Sequence, residues 1–387
     1  MPVSIDDHEF VRRCEALVPD LDARAAEGEE LRRLPEATMR DVREAGLFEA
    51  FVPTSLGGHG LGLDALAQGT RVMAHGCPAS AWTLSFLMMH GWLLARFPPA
   101  GRAEIFAAGP IALAPAPLAP TGSVTVEPGG FRLSGRWEWA TGVAHADWVM
   151  VHAIQAEPEF TTMFLVVPRH EVEVDDVWFT SGMRATGSNT VRITDVFVPG
   201  HRAIDARAML YSHDALEGDG LAGHPVPSVL ALIAAAPALG AAEAAVARFT
   251  ERLGERVLAY SLGDRQREQP AAQVRLGTAM SDLAAARVRW DAAIADVVRA
   301  CAEGTPTEEL RIATRLSAAA TVRGSRAVIS TVCEGAGASV YFSSSPLQRL
   351  QRDVEVLKGH VIFDWDRTAE LAGRFALGFG LRPTDMV

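Results

Sequence analysis

Lysine is all but missing from this chain of 387 residues: Lys358 is the only one, and arginine carries the rest of the positive charge. The formal net charge of −11 argues against non-specific binding of nucleic acid, although a local basic groove can still hold an anion. Cysteine is scarce too. Cys14, Cys77, Cys301 and Cys333 lie far apart and form no CxxC pair, so neither a zinc site nor a thioredoxin-like motif is supported, and free thiols in a reducing compartment are expected. His75, His145, His152 and His201 show no HxxxH or HxxE spacing, and no GxSxG elbow is present, which removes support for metal-dependent or serine hydrolysis. No charged and apolar leader opens the sequence, and no apolar run approaches the roughly 18 residues of a membrane span. A soluble cytoplasmic protein is expected.

Aromatic residues make up only 7% against 49% hydrophobic residues overall, with alanine and leucine crowding the second half, so long packed helices are the expected core. From about residue 4 to 110 apolar positions recur at three and four, as in a helical domain. Its second half, DALAQGTRVMAHGCPASAWTLSFLMMHGWLLARF, is apolar nearly all round and predicts buried helices; His90 lies inside it. Around residue 110 the pattern changes to short alternating runs, which predicts an antiparallel β domain up to about 205, with EPGGF as its clearest hairpin turn. After a loop at 212–227, four helical patterns follow over 228–262, 270–303, 307–335 and 347–378, a four-helix bundle. The class is α+β, with a helical domain at 1–110, a middle β domain at 111–210 and a helical bundle at 211–387.

Two glycine-rich stretches invite a nucleotide reading. GGHGLG at 57–62 follows no parallel strand and sits in no βαβ unit, so it is not a dinucleotide fingerprint. In PTGS at 120–123, glycine permits close backbone approach and Ser123 adds a hydroxyl, as at a phosphate or flavin edge; an ordinary strand-entry turn is the alternative.

The order of domains resembles the acyl-CoA dehydrogenase fold, and local segments carry the likeness: LPEATMRDVREAGLFEAFVPTSLGGHGLG, WEWATGVAHADWVMV and GMRATGSNTVRITDVFVP. The closing segment LQRDVEVLKGHVIF keeps the family's Arg-Asp pair, Arg352 and Asp353, but has Lys358, Gly359 and His360 where the dehydrogenases have a Glu-Gly-Thr segment. Together with APTGS, this resembles the flavin-dependent monooxygenases of the fold, including two-component aromatic hydroxylases.

The resemblance implies reduced FAD or FMN supplied by a separate NAD(P)H-dependent flavin reductase, dioxygen, and a C4a-hydroperoxyflavin that hydroxylates a phenolic, indolic or polyketide-like substrate. It implies that Thr141, followed by Gly142, hydrogen-bonds the flavin near N5. Trp139, two residues earlier, shares that face of the strand by alternation and can cover the ring or fill core. His360 is implied as the catalytic histidine, and a continuing helix would bring Asp364 or Asp353 to orient it. His90 is implied to face the substrate's hydroxyl group, with a satisfied core histidine as the alternative. EGAGAS at 334–339, with Gly335 and Gly337, matches a turn that touches a neighbouring subunit's cofactor, which implies a homotetramer; Arg256 can pair with a flavin phosphate. Alternatives are an N-hydroxylase acting on an amine or amino sugar, an acyl-CoA dehydrogenase using Glu334 or Glu355 as its base, and a silent scaffold.

Overall fold

The apolar N-terminal sequence divides, in the computed structural model, into α1 (Asp7–Ala23), α2 (Ala25–Leu31), α3 (Glu36–Glu44), α4 (Leu63–Met73), α5 (Pro78–Leu94) and α6 (Pro99–Ile105). The structure describes residues 5–211, 215–258, 261–382 and 384–387. Helix α5 starts at a proline whose fixed φ suits a first turn, and all 17 of its residues are buried, which is why its sequence shows no polar face. The GGHGLG loop is a packing device: a Cβ on Gly58 would lie 2.1 Å from the Val52 carbonyl oxygen, and one on Gly60 1.9 Å from that of Gly218.

The middle section forms one seven-stranded sheet from β1 (Gly122–Glu127), β2 (Gly130–Ala140), β3 (Trp148–Gln155), β4 (Thr161–Pro168), β5 (Glu173–Asp175), β6 (Asn189–Pro199) and β7 (Ala203–Asp205), in the order β5-β6-β2-β1-β3-β4-β7. EPGGF makes the expected hairpin, with Glu127 paired to Gly130. The sheet is not purely antiparallel: β1 and β3 run parallel through Gly122–Ala153, Ser123–Ile154 and Val124–Gln155. After β2 the chain passes to the other side of β1 before re-entering the sheet, so β3 runs alongside β1 in the same direction. Gly122 serves this packing, since a Cβ there would stand 2.0 Å from the Trp137 ring.

Helix α7 (Ala206–Tyr211) leads to α8 (Val226–Glu255), α9 (Pro270–Ala302) and α10 (Glu308–Ala336). Contrary to the sequence expectation, α8 is long and apolar enough to cross a membrane, with a mean hydropathy of 1.9, but 94% of that window is buried inside the protein. It is a core helix. Its close approach to α4 needs Gly240, whose Cβ would lie 2.1 Å from the Arg71 carbonyl oxygen. The helix ends at Glu255, short of the predicted 262; residues 259 and 260 lie outside the described residues.

The predicted fourth helix is two. α11 (Pro346–Leu357) stops at Lys358, a 3-10 turn covers Val361–Phe363, and α12 (Trp365–Ala376) begins afresh with Asp364 accepting from the Arg367 N–H at 3.1 Å. Glycine at 359 and a new N-cap at 364 break the run, and they place His360 at a corner instead of on a helix face.

Candidate active site

Residues four apart on a helix lie on one face, and Trp82, Phe86 and His90 form such a row along α5. The Trp82 and Phe86 rings are 4.7 Å apart and the Phe86 and His90 rings 5.6 Å apart. His360 closes the row beyond Trp82, at 5.5 Å and 65°. Eight residues of helix set the Trp82 and His90 backbones about 12 Å apart. Two imidazoles therefore stand at the ends of an aromatic aisle, and the sequence spacing 82, 86, 90 was the available sign of it.

The two imidazoles have opposite hydrogen-bonding polarity. His90 Nδ1 lies 2.6 Å from the Ala114 carbonyl oxygen, which can only accept, so Nδ1 carries the proton and Nε2 presents a lone pair. Among the described residues Nε2 has no hydrogen-bond partner. Burial lowers the His90 pKa to about 4, against the smaller opposing effect of that carbonyl, and keeps the ring neutral. In His360 it is Nδ1 that accepts, from the Ile362 N–H at 3.3 Å, which leaves Nε2–H as a donor. The surrounding protein, and then the Arg315 charge, lower its pKa to about 4. His360 is nonetheless solvent-exposed in the single chain. Neither Asp353 nor Asp364 orients the ring: Asp364 caps α12, and Asp353 binds elsewhere.

The adjacent side of α5 meets the end of β2. Gly142, at φ 74°, packs so closely that a Cβ would lie 3.1 Å from Thr83 and 3.3 Å from Leu87. Thr141 is half-buried, and its hydroxyl lies 2.9 Å from that of Ser188, which lies 2.8 Å from that of Thr186. Thr186 in turn donates to the Met183 carbonyl at 2.9 Å. Asp353 supports this group from behind, Oδ1 accepting from the Met183 N–H at 2.6 Å. Burial raises the Asp353 pKa to about 7. The sequence reading missed Ser188, Thr186 and the Asp353 contact. Trp139 does not share a face with Thr141, because a bulge between Trp137 and Ala140 breaks the alternation; Trp139 adopts φ 63° and is 59% exposed.

A second group surrounds EGAGAS. Arg256 follows the last residue of α8 as its C-cap, and its guanidinium donates to the Ala336 carbonyl and lies where a Cβ on Gly337 would come within 3.0 Å of it. Arg252 donates to the same carbonyl at 3.1 Å and to Ser339, while Arg275 reaches the Glu334 carbonyl at 3.4 Å. Gly337, at φ 77° and ψ −179°, occupies a conformation open to glycine alone. Burial and then the neighbouring Arg256 lower the Arg252 pKa, as expected of cations gathered without an anion. Among the described residues no hydrogen bond or ring contact joins this group to the α5 row. Ser123 is exposed on β1, and nothing brings it to either group.

The carboxylates offered for dehydrogenase chemistry are not in the aisle. Glu355 is held by Arg326 and Lys358, each at 2.5 Å, and Glu334 is exposed. Lys358 is thereby occupied as well. Two cavities elsewhere, about 290 Å³ beside Phe97 and Asp219 and about 680 Å³ beside Tyr211 and Arg311, are lined neither by the α5 row nor by the Thr141 and EGAGAS groups.

Comparison with known proteins gives the family of the chain. Residues 232–365 match the family described as acyl-CoA dehydrogenase, C-terminal domain. The chain is 32% identical to the flavin-dependent monooxygenase oxygenase subunit HsaA of Mycobacterium tuberculosis, over 95% of each chain. It is 29% identical to the oxygenase component of an FADH2-dependent resorcinol hydroxylase from Rhizobium sp., over 92% of this chain and 90% of the relative. The structure of XiaF from Streptomyces sp., in complex with FADH2 and glycerol, superposes with a TM-score of 0.91 at 29% identity, covering 98% of this chain and 97% of the other. With this likeness spanning nearly its whole length, the chain belongs to the flavin-dependent monooxygenases built on the acyl-CoA dehydrogenase fold.

Proposed function

We infer that the protein is the oxygenase component of a two-component aromatic hydroxylase, taking reduced FAD from a separate NAD(P)H-dependent flavin reductase and using dioxygen. Reduced FMN is the alternative cofactor. The observation that carries the reading is the aromatic aisle with a neutral acceptor, His90 Nε2, at one end and a neutral donor, His360 Nε2–H, at the other. A phenol or indole matches it: the ring lies against Trp82 and Phe86, and its O–H or N–H donates to His90. The resorcinol hydroxylase, which is FADH2-dependent, and XiaF, which is in complex with FADH2, support the choice of reduced FAD.

The residues present fit a flavin. Thr141 offers a hydroxyl beside an exposed Trp139, and Arg252, Arg256 and Arg275 offer charge to a diphosphate. Bound reduced flavin supplies the electrons that activate dioxygen. The chain's own part is to hold and polarise. His90 accepts a hydrogen bond from the substrate's O–H or N–H, which draws electron density into the ring, His360 donates a hydrogen bond to oxygen, and Trp82 and Phe86 keep water from the reacting atoms.

Arg256, Gly335 and Gly337 serve a site completed by a neighbouring subunit, in a homotetramer. Support comes from apolar side chains left exposed on the single chain: Val274, Met280 and Val288 along α9, at 67%, 56% and 68%, and Tyr341 and Phe342 after EGAGAS, at 60% and 66%. The four unpaired cysteines suit the cytoplasm. Supplying the protein with reduced FAD and oxygen and comparing phenols and indoles with primary amines tests the assignment. Hydroxylated phenol or indole is expected; exclusive oxidation of amines would overturn it.

A further inference from the structure

We propose that the buried hydroxyls of Ser188 and Thr186 turn Thr141 into an obligate hydrogen-bond acceptor, and that this makes the site select reduced over oxidised flavin. The proposal rests on the reading of Thr141 as the residue that meets flavin N5.

The protons along this run of hydroxyls can be counted. Three oxygen–oxygen contacts run in series: Met183 carbonyl to Thr186 at 2.9 Å, Thr186 to Ser188 at 2.8 Å, and Ser188 to Thr141 at 2.9 Å. Two oxygens at that distance need a proton between them. The carbonyl has none to give, so Thr186 donates to it. Thr186 then has no proton left for Ser188, so Ser188 donates to Thr186. Ser188 in turn has none left for Thr141, so Thr141 donates to Ser188. Three hydroxyls and three contacts leave one arrangement, in which only lone pairs of Thr141 remain for a ligand.

Burial makes the order hard to reverse. Thr186 is 2% exposed and Ser188 5% exposed, so no bulk water replaces a lost partner. The carbonyl at the origin is an anchored acceptor: the Trp178 indole N–H also reaches it, at 3.0 Å, and Asp353 holds the N–H of the same residue at 2.6 Å, with Met183 at φ 53°. Reversal would set the Thr186 and Met183 oxygens lone pair against lone pair, in a buried place.

Reduced flavin carries a hydrogen on N5, and oxidised flavin carries a lone pair there. An acceptor-only Thr141 bonds the first and repels the second. Ser188 and Thr186 are thus positioning residues, acting through Thr141. The consequence suits an enzyme that shares its flavin with a reductase, because the reduced form is taken up and the oxidised form is released.

The test is equilibrium binding of FAD, oxidised and reduced under nitrogen, to the full-length protein and to Ser188→Ala, Thr186→Val and Thr141→Val. The unmodified protein is expected to bind the reduced form at least about tenfold more tightly than the oxidised form. In Ser188→Ala, and independently in Thr186→Val, Thr141 is free to turn its proton outward, and the preference is expected to fall to within about threefold, chiefly by tighter binding of oxidised FAD. Ser188→Thr, which keeps the hydroxyl, is expected to retain the preference. An unchanged preference in Ser188→Ala and Thr186→Val, with Thr141→Val weakening reduced FAD, would overturn the proposal and leave Thr141 at N5. Thr141→Val without effect on either form would overturn both.

Discussion

His90 and His360 lie on one aromatic row, and both are neutral at pH 7, with pKa values lowered to about 4 from the ordinary imidazole range. Protonating either one destroys the polarity that the aisle offers, because His90 then has no lone pair and His360 loses the Nδ1 acceptor that holds its ring. Since both values are depressed, the required neutral forms persist below pH 6.5, the usual histidine value. The pH profile of kcat/KM for a phenol should be flat from about pH 6 to 8 and decline only nearer 4, without a break at 6.5. His360→Ala should lower hydroxylation by about a hundredfold while reduced flavin is still consumed, which product formed per NADH consumed would show. Asp353 has the opposite sign. Its pKa is raised to about 7, so the stability owed to its protonation is complete below the unfolded value near 4 and is lost as pH rises through 7. That loss is on the order of 3–4 kcal/mol. Asp353→Asn keeps an oxygen for the Met183 N–H and removes the titration, so denaturant unfolding of the variant should show a flatter stability between pH 4 and 7.

At the scale of elements, what the sequence made legible was local. Helix α5 is apolar all round and buried all round, and EPGGF is a hairpin, because those signals are carried by consecutive residues. The parallel pairing of β1 with β3 was not legible, since alternation tells which face a residue takes and nothing about the neighbouring strand. Apolar positions continue across 347–378, which hid the break at His360; Gly359 and the capping Asp364 were the only local signs. Ser188 was not legible because its partner Thr141 is 47 positions away. The EGAGAS turn depends on Gly337, whose φ of 77° with extended ψ excludes other residues and whose missing Cβ leaves room for Arg256. Gly337→Ala should therefore cost about 1–3 kcal/mol of stability, seen as a lower Tm, and weaken flavin binding by moving the Arg256 guanidinium.

The whole molecule presents a division that one chain does not close. Thr141 and the two imidazoles gather around α5, whereas Arg252, Arg256 and Arg275 gather at EGAGAS, and the exposed Tyr341 and Phe342 adjoin the second group. If the arginines of one subunit complete the flavin site of another, two differently damaged chains can repair each other. Thr141→Val removes the N5 partner and keeps the arginines; Arg256→Ala does the reverse. In a mixed pair related by a two-fold axis, one site receives both lesions and the other receives neither. Random mixing makes half of the pairs mixed, so about a quarter of all sites should be intact, and reduced-FAD binding at high affinity should return to that fraction. The measurement is a titration of co-expressed variants against each variant alone, at low salt, where the charge of the arginines toward a diphosphate is least screened. No recovery would place Arg256 and Thr141 at the same chain's flavin, and the aromatic surface after EGAGAS would then need another role.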